Sequence, residues 1–311
     1  MTHTIAFYNL ENLFDIEDDE RTNDNEFLPD SVKRWTSKRY HNKLRKLGFA
    51  ISNIALEETG NPPAILGFAE VENRQVIEDL LKGKHLMEIP YGIVHYDSPD
   101  ERGIDVAFVY DQRVFELIVS DTYRLDIYEL DGTKDYTRDI LYVKGKLDGV
   151  LIHFLVNHWP SRREGAEESN SKRIAASNRV LEILEEIKTE DEYAKIIVLG
   201  DFNDDPRDES VKNLVYGNDL YNPMENINLK RRGSLSRDHK WDVFDQILFS
   251  TNFFENNPGS LTYERADIFD EDFLKLFHGP YKGTPFRTYI GTKYRGGYSD
   301  HFPIYLILRK T

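Results

Sequence analysis

An α/β fold is predicted by three observations. Short, apolar, largely β-branched runs, such as residues 64–68 and 194–199, have the length of buried strands. Each of these runs ends in polar residues with carboxylate, amide or imidazole groups. Between them lie longer segments whose apolar residues recur at three- and four-residue spacing, the pattern of helices with one buried face. No Ser-Gly or Pro-rich linker and no fixed repeat divides the 311 residues, and the polar residues of interest are spread from Asn9 to His301. A single domain over residues 1–311 is therefore expected.

Residues 4–10 alternate as a strand, with Asn9 and Glu11 at its end, and residues 16–30 read as an acidic surface loop. From residue 35 to 57, Tyr40, Leu44, Leu47, Ile51, Ile54 and Ala55 mark a helix that Gly60-Asn61-Pro62-Pro63 stops. Lys33, Arg34, Lys38, Arg39, Lys43 and Arg45 are expected on its solvated face. The stretch PAILGFAEVEN is a second buried strand delivering Glu70, with Glu72 and Asn73 beyond it, and a helix follows over 73–82. Strands are expected near 91–96, 104–110, 114–119, 139–147 and 150–157, the last pair joined by the tight-turn dipeptide Asp148-Gly149. LIHFLVNHWPSRREG ends in Asn157, His158, Ser161, Arg162 and Arg163, ahead of a helix over 167–188. Residues 195–206, KIIVLGDFNDDP, form a strand and exposed loop. If the chain stays extended, Asp201 and Asn203 project to one side while Phe202 turns into the core; Asp, Asn, Gly and Pro are also ordinary turn residues. A loop-rich region follows to residue 240, with a basic cluster at Lys230, Arg231 and Arg232. VFDQILFS is a strand carrying Asp245, residues 251–297 are irregular and aromatic, and GGYSDHFPIYLIL is a final strand that begins with Ser299, Asp300 and His301.

Composition narrows the chemistry. A hydrophobic content of 40% and an aromatic content of 13% belong to a packed globular chain. No stretch approaches the roughly 20 apolar residues of a spanning helix. The absence of cysteine excludes disulfides, thiolate metal sites and thiol nucleophiles. Without an apolar leader the chain is expected to be cytoplasmic if complete, and secreted or periplasmic if an export segment has been removed. A net charge of −15 opposes long-range attraction to nucleic acid or anionic membrane. A phosphate-bearing substrate must then be met by bound cations or by clustered Arg and Lys, and excess carboxylate is suited to binding cations.

Asn9, Glu70, His158, Asp201, Asn203, Asp245, Asp300 and His301 fall at or beside the ends of the expected strands. Gathered by a sheet, they make an oxygen-rich pocket with two histidines, a donor set for Mg²⁺, with Mn²⁺ or Ca²⁺ as alternatives, rather than Zn²⁺. The ordered series Asn9, Glu70, His158 in NHWPSR, GDFN, FDQIL with Asp245 and a terminal SDH resembles the endonuclease/exonuclease/phosphatase superfamily, which includes pancreatic deoxyribonuclease, abasic-site endonucleases, sphingomyelinases and inositol-polyphosphate phosphatases. RYHNKL, RGIDVAFVYD and NHWPSRR look like a bacterial branch of it. The resemblance implies a four-layered α/β sandwich, two packed mixed sheets with helices outside, and divalent-metal-dependent hydrolysis of a phosphate ester.

Carried over residue by residue, the resemblance makes Glu70 the principal metal ligand, helped by Asn9 and Asp300. Glu72 competes with Glu70 for that role. Asp201 would orient or deprotonate the attacking water and Asn203 would hold a phosphate oxygen. His301 would stabilise charge on the phosphate with Asp245 fixing its tautomer, and His158 would be a second phosphate contact or acid. Arg102, Arg162 and Arg163 are candidate phosphate contacts. Asp105 is expected to pair with a neighbouring base or with His158. Tyr96 is the candidate for the tyrosine of the abasic-site enzymes. The aromatic residues of 251–297 would stack on bases, line a pocket or cover a sheet edge. The leading functional expectation is a phosphodiesterase, most simply a nuclease. The alternatives are a phosphomonoesterase on a sugar, inositol or nucleotide phosphate and, from another class, a binding module that keeps the fold without catalysis. The substrate is a phosphate ester, nucleic acid among the possibilities. No protein partner is implied, and a monomer is expected.

Overall fold

Alternation along the central strands sorts their side chains onto two faces, and this sorting builds the layers. In the computed structural model, which describes residues 1–20, 22–129, 131–162, 165, 167, 169–229, 232–237 and 240–311, two six-stranded sheets pack face to face. The strands are β1 (Thr2–Leu13), β2 (Ile65–Val71), β3 (Tyr91–His95), β4 (Asp105–Asp111), β5 (Phe115–Tyr123), β6 (Ile140–Leu147), β7 (Val150–His158), β8 (Ile196–Asp201), β9 (Leu220–Tyr221), β10 (Asp245–Ser250), β11 (Leu261–Ile268) and β12 (Ile304–Lys310). One sheet has the order β11-β12-β1-β2-β4-β3, the other β9-β10-β8-β7-β6-β5. Both are mixed in the same way: β1 and β2 run parallel, as do β7 and β8, and their other neighbours are antiparallel.

Ile197 and Leu199 face the core shared with Phe7, Leu66, Phe108 and Phe154. Ile196 and Val198 face the other way, onto Ala176, Val180 and Ile183 of α4 (Asn170–Glu190) and Val211 of α5 (Glu209–Val215). On the outside of the first sheet lie α1 (Ser37–Asn53) and α3 (Arg74–Leu81). The four layers are those that the resemblance implied. Gly67 allows the two sheets to approach, since a Cβ there would stand 3.0 Å from Leu199 and 3.1 Å from Phe7. Asp148 and Gly149 both have positive φ, 50° and 83°, as the expected tight hairpin requires.

The local differences have physical causes. The helix expected to run to residue 57 stops at Asn53, and Ala55 adopts φ 52° before a separate short helix, α2 (Leu56–Thr59). Lys43, expected in solvent, is buried. It stands three residues after Tyr40 and four before Leu47, on the apolar stripe itself. Residues 251–297 are not all irregular, because Leu261–Ile268 pairs with β12 as an edge strand. Tyr263 stacks on Phe249 at 4.8 Å and meets Tyr221 and Phe254, so these rings cover the sheet edge. The loop-rich region holds α5, β9 and a helix at Met224–Leu229. Lys230 and Arg231 lie outside the described residues, and Arg232 pairs with Asp267 and Asp270. No helix among the described residues is long and apolar enough to cross a membrane.

His153 on β7 gives a pH signature. It is buried, with Nδ1 2.9 Å from the Tyr142 hydroxyl, and burial pushes its imidazole down to about 4. The unfolded chain titrates near 6.5 and so binds the extra proton first, which means stability falls as pH drops from about 6.5 toward 4. Between pH 7 and 5 this residue should account for about 2 kcal/mol of lost stability. Urea titrations at both pH values should show a smaller loss for His153→Gln than for the parent. Equal losses would count against this assignment.

Candidate active site

Three neighbouring strands align the centre of the site. In the β-ladder Asp201 is the register partner of His158 across the parallel pair β7/β8 and of Asp245 across the antiparallel pair β8/β10. Side chains at matched positions of adjacent strands share a face, so these three groups meet at one sheet edge. Gly200 permits the close approach: a Cβ there would stand 2.2 Å from the Asn157 carbonyl oxygen. His301 completes the group from the segment before β12. Its Nδ1 lies 2.7 Å from Asp245 Oδ2 and its Nε2 3.9 Å from Asp201 Oδ2, while His158 Nε2 lies 3.8 Å from the same Asp201 oxygen. All four residues are buried.

The other sheet supplies the second half. Asn9 donates from Nδ2 to Asp201 Oδ2 at 3.0 Å and accepts at Oδ1 from the Glu11 amide at 2.9 Å. Its carbonyl accepts from the Ser299 hydroxyl at 2.6 Å, and Ser299 Oγ in turn accepts from the His301 amide at 3.1 Å. The SDH turn is thereby fixed to the strand that carries Asn9. Glu70 accepts from the Asn12 amide at 2.8 Å. The Asp300 carboxylate is held by Arg287 at 2.5 Å.

Backbone strain concentrates here. Of the eight non-glycine residues with positive φ among the described residues, Glu11, Asn12, Glu70 and Asn203 belong to the site. Each such conformation costs on the order of 1–3 kcal/mol and persists only where its surroundings enforce it. The expectation of an extended chain through Asn203 is corrected by this geometry. The strand ends at Asp201, Asn203 turns to φ 51°, its amide donates to Asp201 Oδ1 at 2.9 Å, and its Nδ2 donates to the Trp159 carbonyl at 3.0 Å. Phe202 does enter the core, stacked on Trp159 at 4.2 Å. The first strand likewise extends to Leu13, with its register broken between Asn9 and Leu13 where Glu11 and Asn12 turn left-handed.

The electrostatics divide the site into two parts. Around Asp201, burial raises the carboxyl to about 6, opposed by His301. Burial lowers the His301 imidazole, but Asp245, Asp201 and Asp300 overrule it, and the imidazolium is held well above its ordinary range. Around Glu70 lie groups that sequence reasoning placed elsewhere or left without a role. Glu11 is buried and accepts from the Thr288 amide at 2.6 Å; burial and Asp300 push its carboxyl up to about 7. The buried Lys43 ammonium donates to the Glu11 carbonyl at 2.6 Å and to the Thr288 hydroxyl at 2.7 Å, and it feels the charges of Glu11, Asp300 and Glu70. Burial would raise Asp300, but His301, Arg287 and Lys43 bring it below the ordinary carboxylate range. The helical spacing of Lys43 was the available signal for its burial, whereas Arg287 lies in a segment without periodicity.

Asp201, Asp245 and His301 offer ligand atoms within 4.8 Å of one another. His301 Nδ1 is already engaged by Asp245 at 2.7 Å, so the group is arranged around an oriented imidazole. Glu70 and Asp300 offer hard carboxylate oxygens beside it, with the Asn9 side chain between them and Asp201, a donor set that fits a divalent cation.

The remaining expected contacts fall as follows. Arg162 pairs with Asp204 and Asp208, donates from Nε to the Asn203 carbonyl at 2.7 Å and lies over the Phe244 ring. Its fork is engaged in bracing the loop after β8 rather than presented to a phosphate. Arg163 lies outside the described residues. Arg102 is half-buried, with Nε 3.8 Å from Asp100. Asp105 pairs with His95 at 3.1 Å and accepts from the Ser98 hydroxyl, not from His158, because it sits on β4 beside β3. Tyr96 is turned outward with its hydroxyl at Ser120. Glu72 accepts from the Asp15 amide at 2.6 Å, and burial raises its carboxyl to about 8.

Residues 4–310 match the model of the Endonuclease/Exonuclease/phosphatase family. No curated protein matches the chain in sequence. Among solved structures, the human Nocturnin catalytic domain aligns with TM-score 0.61 and 17% identity, over 100% of this chain and 95% of that one. Humanized D. rerio TDP2 aligns with TM-score 0.57 and 16% identity over 99% of each chain. The mannosyl-6-phosphatase of Bacteroides thetaiotaomicron VPI-5482 aligns with TM-score 0.58 and 17% identity, again over 99% of each. At these identities the likeness is one of fold.

Proposed function

Because the chain belongs to the endonuclease/exonuclease/phosphatase family, we propose that it is a divalent-metal-dependent hydrolase of phosphate esters in which Asp201 handles the attacking water. The observation that carries this reading is the in-register placement of Asp201 between His158 and Asp245, with His301 facing it. Asp201 aligns the water and accepts its proton, because its carboxyl titrates high enough to be a useful base. The His301 imidazolium, oriented through Nδ1 by Asp245, neutralises charge that develops on the phosphate oxygens. His158 is a second contact on the opposite side of Asp201. Asn203 uses one amide proton on Trp159 and keeps the other for a phosphate oxygen. Arg102 remains a phosphate contact in this scheme.

Glu70, Asp300 and Asn9 would hold the cation, Mg²⁺ first, with Mn²⁺ or Ca²⁺ as alternatives. When bound it supplies neutralisation of the phosphate and a lowered pKa for its water. Glu70 is set by its left-handed backbone and by the Asn12 amide, so its free oxygen has a fixed direction.

The test is hydrolysis of bis(p-nitrophenyl) phosphate and p-nitrophenyl phosphate under Mg²⁺ or Mn²⁺, before and after chelation. Cleavage of at least one ester, reduced by about 100-fold or more on chelation, is expected. A second readout is independent of turnover. At 100 times its dissociation constant a cation adds about 2.7 kcal/mol to stability, so millimolar Mn²⁺ should raise the unfolding midpoint of the parent and raise that of Glu70→Gln much less. Equal shifts would remove Glu70 from the ligand set.

A further inference from the structure

Arg39, Asn42, Lys43 and Lys46 recur at helical spacing along α1, and all four meet a strap formed by residues 286–298. Arg39 lies over the Tyr294 ring at 4.4 Å, Asn42 donates to the Tyr294 hydroxyl at 3.0 Å, and Lys46 lies 4.6 Å from the Phe286 ring and 4.7 Å from that of Tyr298. Lys43 is 1% exposed. One of its protons goes to the Thr288 hydroxyl on the strap at 2.7 Å and another to the Glu11 carbonyl on β1 at 2.6 Å. The Glu11 carbonyl and the Asn12 amide belong to a single planar peptide unit. Its oxygen accepts from Lys43 and its N–H donates to Glu70 Oε2 at 2.8 Å, so an ammonium and a candidate metal ligand grip opposite ends of the same plane. Both flanking residues hold left-handed backbone, φ 50° and 52°, a conformation that persists only where its surroundings enforce it. On the strap, the Thr288 amide donates to Glu11 Oε2 at 2.6 Å. The residue before it, Arg287, holds Asp300 at 2.5 Å.

We propose that Lys43 is a positioning residue for the cation site, setting Glu70 through the Glu11–Asn12 peptide and Asp300 through Thr288 and Arg287. The inference rests on the hydrolase reading, in which Glu70 and Asp300 hold the metal, and deepens it. Charge-assisted bonds from a buried ammonium are strong, and an ammonium on a carbonyl oxygen polarises the peptide so that its N–H becomes a better donor. The sign of the effect separates this role from a purely electrostatic one. Lys43 feels the charges of Glu70 and Asp300, so as a mere charge it would repel a cation bound by them, and its removal would tighten binding. As a strut it fixes the ligands, and its removal weakens binding, as loss of an outer partner of a metal ligand does by 10- to 100-fold on the order of magnitude.

The experiment measures the Mn²⁺ affinity of the full chain by calorimetric titration, together with hydrogen exchange of the metal-free protein. Lys43→Met, which keeps the bulk of the side chain but not its protons, should raise the Mn²⁺ dissociation constant about tenfold. Without metal, the Asn12 amide should exchange at least about tenfold faster, while the amides of Ile197 to Leu199 in β8 keep the parent's rate. General loosening would speed both. Thr288→Val removes only the strap contact and should raise the constant by a smaller factor. The double variant should bind no more weakly than Lys43→Met, because the two changes remove one shared bond. Mn²⁺ binding that is unchanged or tighter in Lys43→Met, or a double variant weaker than Lys43→Met by the full Thr288→Val factor, would overturn the inference; weakened binding by Glu70→Gln in the same series would leave the hydrolase reading intact. Should Lys43→Met fail to fold, Thr288→Val decides in its place, and an unchanged dissociation constant there overturns the inference. A parent that binds no Mn²⁺, or a Glu70→Gln variant that binds it as tightly as the parent, would overturn both.

Discussion

Asp201→Ala is expected to lower metal-supported hydrolysis by about 10³-fold or more. Three lines converge on that carboxylate: Asn9 donates to it from the first sheet, the Asn203 amide donates to it from its own loop, and two imidazoles approach one of its oxygens within 3.9 Å. No neighbouring group duplicates it, since Asp245 is occupied by His301 and Glu70 lies with the other sheet. The same residue sets the acid side of the pH profile. A general base must be ionised, and burial raises Asp201 to about 6, so kcat/KM should fall about tenfold per unit as pH drops below that value. A bound cation would move this limb to lower pH but not reverse its sign. Asp201→Asn preserves shape and the Asn203 contact, so it separates loss of the base from loss of packing. Full activity in the Asn variant, or an acid limb that persists in its residual rate, would remove Asp201 from the proton-handling role.

The site was legible where strand periodicity and polar termination coincide. GDFN, NHW and FDQIL each follow apolar runs whose alternation determines which side chain emerges at the sheet edge. The ladder then places Asp201, His158 and Asp245 side by side, as those runs suggested. Register itself is a long-range property, and no local pattern shows that β8 lies between β7 and β10. The first-sheet half of the site was less legible because it depends on breaks in periodicity. Glu11, Asn12 and Glu70 adopt left-handed backbone, which composition does not favour for Glu and which the surrounding hydrogen bonds impose. Arg162 shows the limit of reading charge from sequence. An Arg beside a candidate catalytic histidine suits phosphate, yet Asp204 and Asp208 hold it. The edge strand Leu261–Ile268 escaped because its aromatic and charged residues blur alternation, as they do where one face remains partly in solvent.

Asp245→Asn tests the other half of the chemistry and should cost about 10²-fold in turnover. The Asp245 carboxylate lies 2.7 Å from His301 Nδ1 and is buried with it. That charge stabilises the imidazolium against a burial that would otherwise discharge it. An amide in its place removes the charge and, if its NH₂ turns toward Nδ1, forces the proton onto Nε2 in the neutral ring. Nε2 is the nitrogen that faces Asp201. In the parent, His301 retains its proton well above its ordinary range, so activity should persist into alkaline solution. In the variant the imidazolium is lost at lower pH, so the alkaline limb should move down while the acid limb near 6 remains with Asp201. This opposite treatment of the two limbs distinguishes a charged, oriented imidazolium from a merely structural hydrogen bond. Loss of the Asp245–His301 contact through general loosening would lower activity at every pH without moving either limb, and a parallel drop of that kind would refute the assigned role of Asp245.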